Sequence, residues 1–203
     1  HMDNRDKYGN IRYLRPAIMA LQLAEGGQLP DELLAQMREW DEPFFFRMCE
    51  EAQKKARAAV EAGSDLIQKT PEVPVEKLFE AIIAPYKGKT VLVDFWNTWC
   101  SPCRSAIKHN EPYKTGELAS DDLVWIYIAN ETSPMGKYLQ MIPDIKGLHY
   151  RLNDQQWRYI CDYFKIDGIP SYVLVKKDGS YALSNEFRDH SLMIKTLKTE
   201  AGL

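Results

Sequence analysis

The sequence predicts an α/β protein: a mixed sheet flanked by helices over residues 75–203, preceded by an all-helical N-terminal region and linker over residues 1–74. Three observations predict it. The β-branched and aromatic runs Thr90 to Trp96 and Leu123 to Ala129 are too short for typical helices and suit buried strands. Between and after these runs lie longer stretches at helical spacing, the pattern of a sheet covered by helices. Lys177-Asp178-Gly179-Ser180 separates two further strand-like runs, and Asp-Gly supports the positive φ of a tight hairpin.

In chain order, Asp3 to Tyr13 is polar with little periodicity, whereas Arg15 to Leu23 and Pro30 to Trp40 predict two short helices broken at Gly26-Gly27. From Pro43 a stretch rich in Ala, Glu, Lys and Arg predicts a helical arm to about Lys69, with Pro at its start. Its Lys54-Lys55-Ala56-Arg57 cluster has acidic residues on both sides and reads as a solvated face. Pro71 and Pro74 end helix formation and mark the linker, after which Val75 to Tyr86 predicts a short helix. Beyond the first strand, Pro102 suits the first turn of a helix from Ser101 to about Ala119, kinked near Pro112. The second strand is followed by an irregular stretch to Gly147, a short strand at Leu148 to Leu152, and a helix capped by Asn153 and running through Phe164. Ser171 to Lys176 and Tyr181 to Ser184 form the hairpin, and Ser191 to Glu200 a terminal helix.

The 203 residues are 45% apolar, enough for a sizeable core. A formal net charge of -3 gives no general attraction to phosphate backbones or anionic membranes, so no nucleic-acid partner is expected. No stretch approaches the roughly 18 consecutive apolar residues of a membrane span. The leading His1-Met2 reads as a cloning remnant, so a native signal peptide or membrane anchor could have been removed ahead of it.

Four cysteines, Cys100 and Cys103 close together and Cys49 and Cys161 isolated, do not make a disulfide scaffold. A CxxC pair supplies half of a zinc site, but neither isolated cysteine has a nearby histidine to complete one, so no metal or other cofactor is expected. The redox reading gives each element a physical reason. A strand delivers Cys100 to a helix N-terminus, where the dipole and free amides favour thiolate over thiol. Cys103, one turn along on the same side, can attack the mixed disulfide that Cys100 forms, and the reaction runs in reverse when the dithiol is the donor.

The run Val93-Asp94-Phe95-Trp96-Asn97-Thr98-Trp99-Cys100-Ser101-Pro102-Cys103 resembles the active-site segment of thioredoxins, and more closely that of the TlpA-like extracytoplasmic branch. A second block, Gly168-Ile169-Pro170-Ser171-Tyr172-Val173-Leu174-Val175-Lys176-Lys177-Asp178-Gly179, resembles that family's cis-proline strand and hairpin. The resemblance spans about Thr90 to the C-terminus and implies a thioredoxin-like domain. It further implies that Pro170 takes a cis peptide bond against the dithiol and that Ile169 presents backbone groups to an extended substrate peptide. Trp99, Ser101 and Pro102 would then face substrate, although Ser-Pro differs from the Gly-Pro of thioredoxin. The insertion between Ser133 and Leu152 is similar to the TlpA-like pattern.

Asp94 is the most informative charged residue, because burying a carboxylate in an apolar strand is costly. Either it is protonated near neutrality and exchanges protons with Cys103, the role assigned to the matching acid in thioredoxins, or it lies near a sheet edge and is solvated. The strand Leu123 to Ala129 carries no lysine where thioredoxins have one near that acid. Trp96 reads as packing, as do Cys49 and Cys161, the latter as a buried inert thiol in a helical face. His109, His149 and His190 are scattered and read as surface or packing residues. The expected function is thiol–disulfide exchange with exported protein thiols or disulfides, as a reductase or isomerase in a periplasm or other extracytoplasmic space, recharged by an unidentified redox partner. The competing readings are a partner-binding module with little turnover and a peroxiredoxin-type peroxidase.

Overall fold

Thr90–Phe95 forms the central strand β1, its six residues all buried, as a strand with helices over both faces requires. The computed structural model describes Met19, Leu23, residues 29–38 and residues 43–203. The remaining strands are β2 (Leu123–Asn130), β3 (Leu148–Leu152), β4 (Ser171–Val175) and β5 (Tyr181–Leu183). They make one sheet in the order β3-β2-β1-β4-β5. The first three strands are mutually parallel, while β4 runs antiparallel to both β1 and β5. This is the mixed sheet that the sequence predicts. At the β3 edge, Ile67 adds an isolated parallel bridge to His149, and the Gln68 amide donates to the His149 carbonyl at 2.7 Å.

The helices are α1 (Asp31–Arg38), α2 (Pro43–Gly63), α3 (Leu78–Ile83), α4 (Ser101–Thr115), α5 (Met135–Met141), α6 (Asp154–Phe164) and α7 (His190–Ala201). One face of the sheet presents Val91, Val93, Phe95, Ile126, Ile128, Val173 and Val175 to Leu78, Phe79 and Ile82 of α3 and to Ile160 and Phe164 of α6. Strand alternation sends Asp94 to the opposite face. There α4 packs, its Lys114 ammonium standing over the rings of Trp125 and Tyr127.

The chain divides into two compact units, His1–Ser64 with Pro134–Gln140, and Asp65–Ser133 with Met141–Leu203. In the first, Met19, Leu23, Leu29, Leu34 and Cys49 form a buried apolar cluster. The buried Gln53 side chain bonds both the amide and the carbonyl of Leu29, at 2.8 and 2.6 Å. Lys54 and Lys55 are exposed and Arg57 pairs with Asp31, so only Ala56 of that cluster turns inward.

Most described elements fall where the sequence places them, and three differ: the arm, the stretch after β2 and the end of α4. The helix predicted over Arg15 to Leu23 lies outside the described residues except for Met19 and Leu23, as does the end of the next helix near Trp40. The arm ends at Gly63, well before Lys69, and a short 3-10 turn, Ser64–Leu66, follows. Glycine weakens helix propagation, and a Cβ there would sit 3.0 Å from the Leu139 side chain. The stretch read as irregular contains α5 and a 3-10 turn at Ile142–Asp144, elements too short for a periodicity to register. The helix α4 runs through Pro112 and stops at Thr115, ahead of Ala119, with Gly116 next.

Two local features behave as their residue types dictate. Asn153 and Gln156 form a capping box at the start of α6, each side chain accepting from the other's backbone amide. In the hairpin Gly179 takes φ +88° and Lys176 donates to Ser180 O at 2.8 Å.

Candidate active site

The site begins where β1 runs out of strand partners. The Trp96 amide still donates to Ile128 O at 3.0 Å, and then the Asn97 side chain takes over. Its Oδ1 accepts from the Asn130 amide at 3.1 Å and from Ser133 Oγ at 2.7 Å, and Ser133 Oγ in turn accepts from the Thr98 amide at 3.0 Å. The Trp99 indole N–H donates to Thr132 Oγ1 at 2.9 Å. Residues 97–99 are thereby fastened to the end of β2. Asn97, Asn130, Thr132 and Ser133 were not singled out from sequence, and their signal was the appearance of polar residues directly after each apolar strand.

This junction sets Cys100 at the N-cap of α4, its sulfur accepting from the Cys103 amide at 3.2 Å. Cys100 and Cys103 are joined in a disulfide, with Cα atoms 5.3 Å apart. Cys103 is fully buried and Cys100 nearly so, whereas Ser101 and Pro102 are exposed and Trp99 is 59% exposed beside them. Trp96 is wholly buried and serves packing. From the far side, Ile169 brings its carbonyl oxygen to 3.7 Å from Cys100 Sγ, and the Ile169–Pro170 bond is cis. Arg188 Nε donates to Pro170 O at 3.1 Å and Ser171 Oγ to Gly168 O at 2.6 Å, which anchors this turn. Arg188 is another residue that sequence reasoning missed.

Asp94 is 1% exposed on the central strand, so it is not at a sheet edge. Tyr127 of β2 and Tyr172 of β4 are its register partners. Its Oδ1 has no hydrogen-bond partner among the described residues. Burial pushes its pKa up to about 8, against an opposing pull from the Lys114 charge. The phenols of Tyr127 and Tyr172 are raised too, first by burial and then by the Asp94 charge.

Although β2 carries no lysine, α4 supplies one. The Lys114 side chain is 2% exposed, pairs with Glu111, donates to Lys146 O at 2.7 Å and lies 4.5 Å from the Tyr127 ring centroid. Burial lowers its proton affinity and the Glu111 hydrogen bond opposes that. The sequence signal was the stripe Cys103, Ala106, Ile107, Asn110, Lys114 on the buried side of α4, which continues helical spacing into polar residues.

The other flagged residues lie elsewhere. His149 is buried, its ring stacked on Tyr127 at 5.5 Å with Nε2 2.8 Å from Ile145 O, and burial lowers its pKa. His109 and His190 pack ring to ring at 4.5 Å. Cys49 is buried, whereas Cys161 is only half-buried, a correction to the expectation of a buried thiol. It lies on a helix flank rather than the inward stripe of Ile160 and Phe164, and burial followed by the Asp162 charge pushes its pKa up to about 11. Among the described residues no three His, Cys, Asp or Glu side chains gather as metal ligands, and no helix is long and apolar enough to cross a membrane.

A family model described as Thioredoxin-like matches residues 88–181, a span that holds Asp94, both cysteines of the pair and Pro170. The thiol-disulfide oxidoreductase ResA of Geobacillus kaustophilus is 21% identical over 98 residues, 48% of this chain and 54% of the relative. ResA of Bacillus subtilis is 21% identical over 127 residues, 60% of this chain and 69% of the relative. The chain thus spans about half the length of the Geobacillus relative that it matches. Among solved structures, the thioredoxin domain of a thiol-disulfide oxidoreductase from Bacteroides vulgatus aligns with a TM-score of 0.46 at 19% identity, covering 57% of this chain and 84% of that one. The five-stranded mixed sheet, the dithiol at a helix N-terminus and the family match over residues 88–181 agree on a thioredoxin-like domain.

Proposed function

We propose that the protein catalyses thiol–disulfide exchange with protein partners, Cys100 attacking and Cys103 resolving. The observation that carries this is the N-cap placement of Cys100: its sulfur accepts the Cys103 amide and faces Ile169 O. A thiolate there is stabilised by the helix N-terminus, which lowers thiol pKa and sets the order of attack.

In the reducing direction the Cys100 thiolate attacks one sulfur of a partner disulfide, forming a mixed disulfide and expelling the other sulfur as thiolate. The Cys103 thiol then passes its proton to the Asp94 carboxylate. The electron pair left on Cys103 forms the bond to Cys100 Sγ, the bond to the partner breaks, and the partner departs as a second thiolate. The partner disulfide gains two electrons and the dithiol loses them. An extended partner segment pairs with the backbone of Ile169 beside Pro170, with exposed Trp99, Ser101 and Pro102 along its path. Resemblance to the TlpA-like branch favours an exported protein working outside the cytoplasm as a reductase or isomerase, recharged by a separate redox protein.

Cys100→Ser should abolish turnover of insulin disulfides in a turbidity assay, and undiminished turnover would exclude the reading. The equilibrium potential of the pair then sets direction: a value near about −270 mV marks a reductant and one near about −120 mV an oxidant.

A further inference from the structure

The layer between α4 and the sheet concentrates buried polar groups. The register aligns His149, Tyr127, Asp94 and Tyr172 across β3, β2, β1 and β4, and register partners share a face. Against this row α4 lays Cys103, Asn110 and Lys114 on its buried stripe. Asp94 Oδ1, both polar side-chain atoms of Asn110 and the phenol oxygens of Tyr127 and Tyr172 have no hydrogen-bond partner among the described residues. Unmade hydrogen bonds are costly in such a layer, so it tolerates charge only where the charge is held.

Lys114 is held from several sides. Glu111 and the Lys146 carbonyl bind its ammonium, and the Trp125 and Tyr127 rings, at 4.9 and 4.5 Å, offer their negative faces to it. Since Tyr127 is the direct register partner of Asp94, that ammonium stands within one strand of the Asp94 side chain. Charges buried in this way are weakly screened by solvent and salt.

We infer that Lys114 is a positioning residue for proton transfer at the dithiol: from about three turns beyond Cys103 on the same helix, its ammonium biases Asp94 toward the carboxylate that accepts the Cys103 proton. This rests on the reading of Asp94 as that acceptor. Glu111, 26% exposed at its side chain, keeps Lys114 charged in its buried place. The other groups acting on or beside Asp94 are Tyr127 from β2 and Tyr172 from β4, with the Arg188 charge acting on Tyr172. Behind Lys114 stand the Lys146 charge and His149. The opposing effects on Asp94, burial raising its pKa to about 8 and Lys114 lowering it, agree with this placement.

The test titrates the Asp94 carboxyl carbon by NMR in the oxidised full chain, its signal assigned by loss in Asp94→Asn. Lys114→Gln keeps an amide that can donate to Glu111 and Lys146 O but removes the charge. It should move the titration midpoint up by about one pH unit or more, and Lys114→Arg should return it to within a few tenths of wild type. Lys114→Met, a packing group of similar length, is the second uncharged variant and should move the midpoint in the same direction. In parallel, the acid limb of the pH–rate profile for insulin reduction should follow, with turnover at pH 7 about tenfold slower for each pH unit that the limb moves. An unmoved midpoint in the uncharged variants, or equal displacements in Gln and Arg, overturns the proposal. A midpoint that moves while the rate limb stays in place overturns Asp94 as the acceptor, and with it this use of Lys114. Loss of turnover in Cys100→Ser tests the exchange reading separately.

Discussion

Asp94 ties the stability of the fold to pH. Its pKa rises from about 3.8 when unfolded to about 8 when buried. Between those values the folded chain keeps a proton that the unfolded chain has released. The stability this proton lends is complete below about pH 4, declines by about 1.4 kcal/mol per pH unit, and is gone above about pH 8. Asp94→Asn, which cannot ionise, should lose that slope, so urea denaturation of the oxidised protein at pH 5, 6 and 7 should show the wild type falling progressively relative to the variant. Parallel trends would mean that the acid is not buried. Asp94 was legible in the sequence because it is a lone acid within Val-Leu-Val-Asp-Phe. Lys114 was not, since a lysine three residues after Glu111 on a helix has the spacing of an ordinary surface pair. The helical stripe from Cys103 that runs into it is the weaker signal, and the fold shows that this side of α4 faces inward.

Gly147 shows how a single backbone position lets β3 start in the right place. Its φ is +145°, and a Cβ would meet Trp125 O at 2.8 Å and the Tyr127 ring at 2.9 Å. Gly179 in the hairpin also has positive φ, but a Cβ there meets nothing within 4 Å. Alanine at either position carries backbone strain, and only alanine at 147 adds a clash beside Tyr127. Gly147→Ala should therefore lower stability by about 2 kcal/mol or more in chemical denaturation, and Gly179→Ala by clearly less. Equal losses would show that the close approach to Trp125 is relieved at no cost. The hairpin, the Asn153 cap and the strands were readable because turn chemistry, capping and β-branched runs are local signals. The helix Met135–Met141 was not, because seven residues between Pro134 and Pro143 complete fewer than two full repeats of a helical face.

Across the second unit, protection should follow the sheet order. β1 pairs on both sides and is buried along its whole length, while β3 and β5 are the outer strands. Amide hydrogen exchange of the oxidised protein should be slowest at residues 91–95 and their β2 partners and faster in β5, and comparable rates throughout would contradict a core centred on β1. The dithiol lies where this rigid centre hands over to a helix, so sequence could place it from two separated blocks. The side-chain network of Asn97, Asn130 and Ser133 depends on bringing the ends of two strands together, which no local pattern encodes. The bridge from Ile67 to His149, with Gln68 beside it, bears on what the sheet offers to other chains at its edge. A sheet with a bare outer strand invites other extended chains to join it. Here the polypeptide entering the domain bridges β3 at His149, near the start of that border, and the opposite border is a strand of only three residues, Tyr181–Leu183. Less ladder remains for a stray segment to extend, which lowers the risk of fibre-like growth when the sheet meets another extended chain.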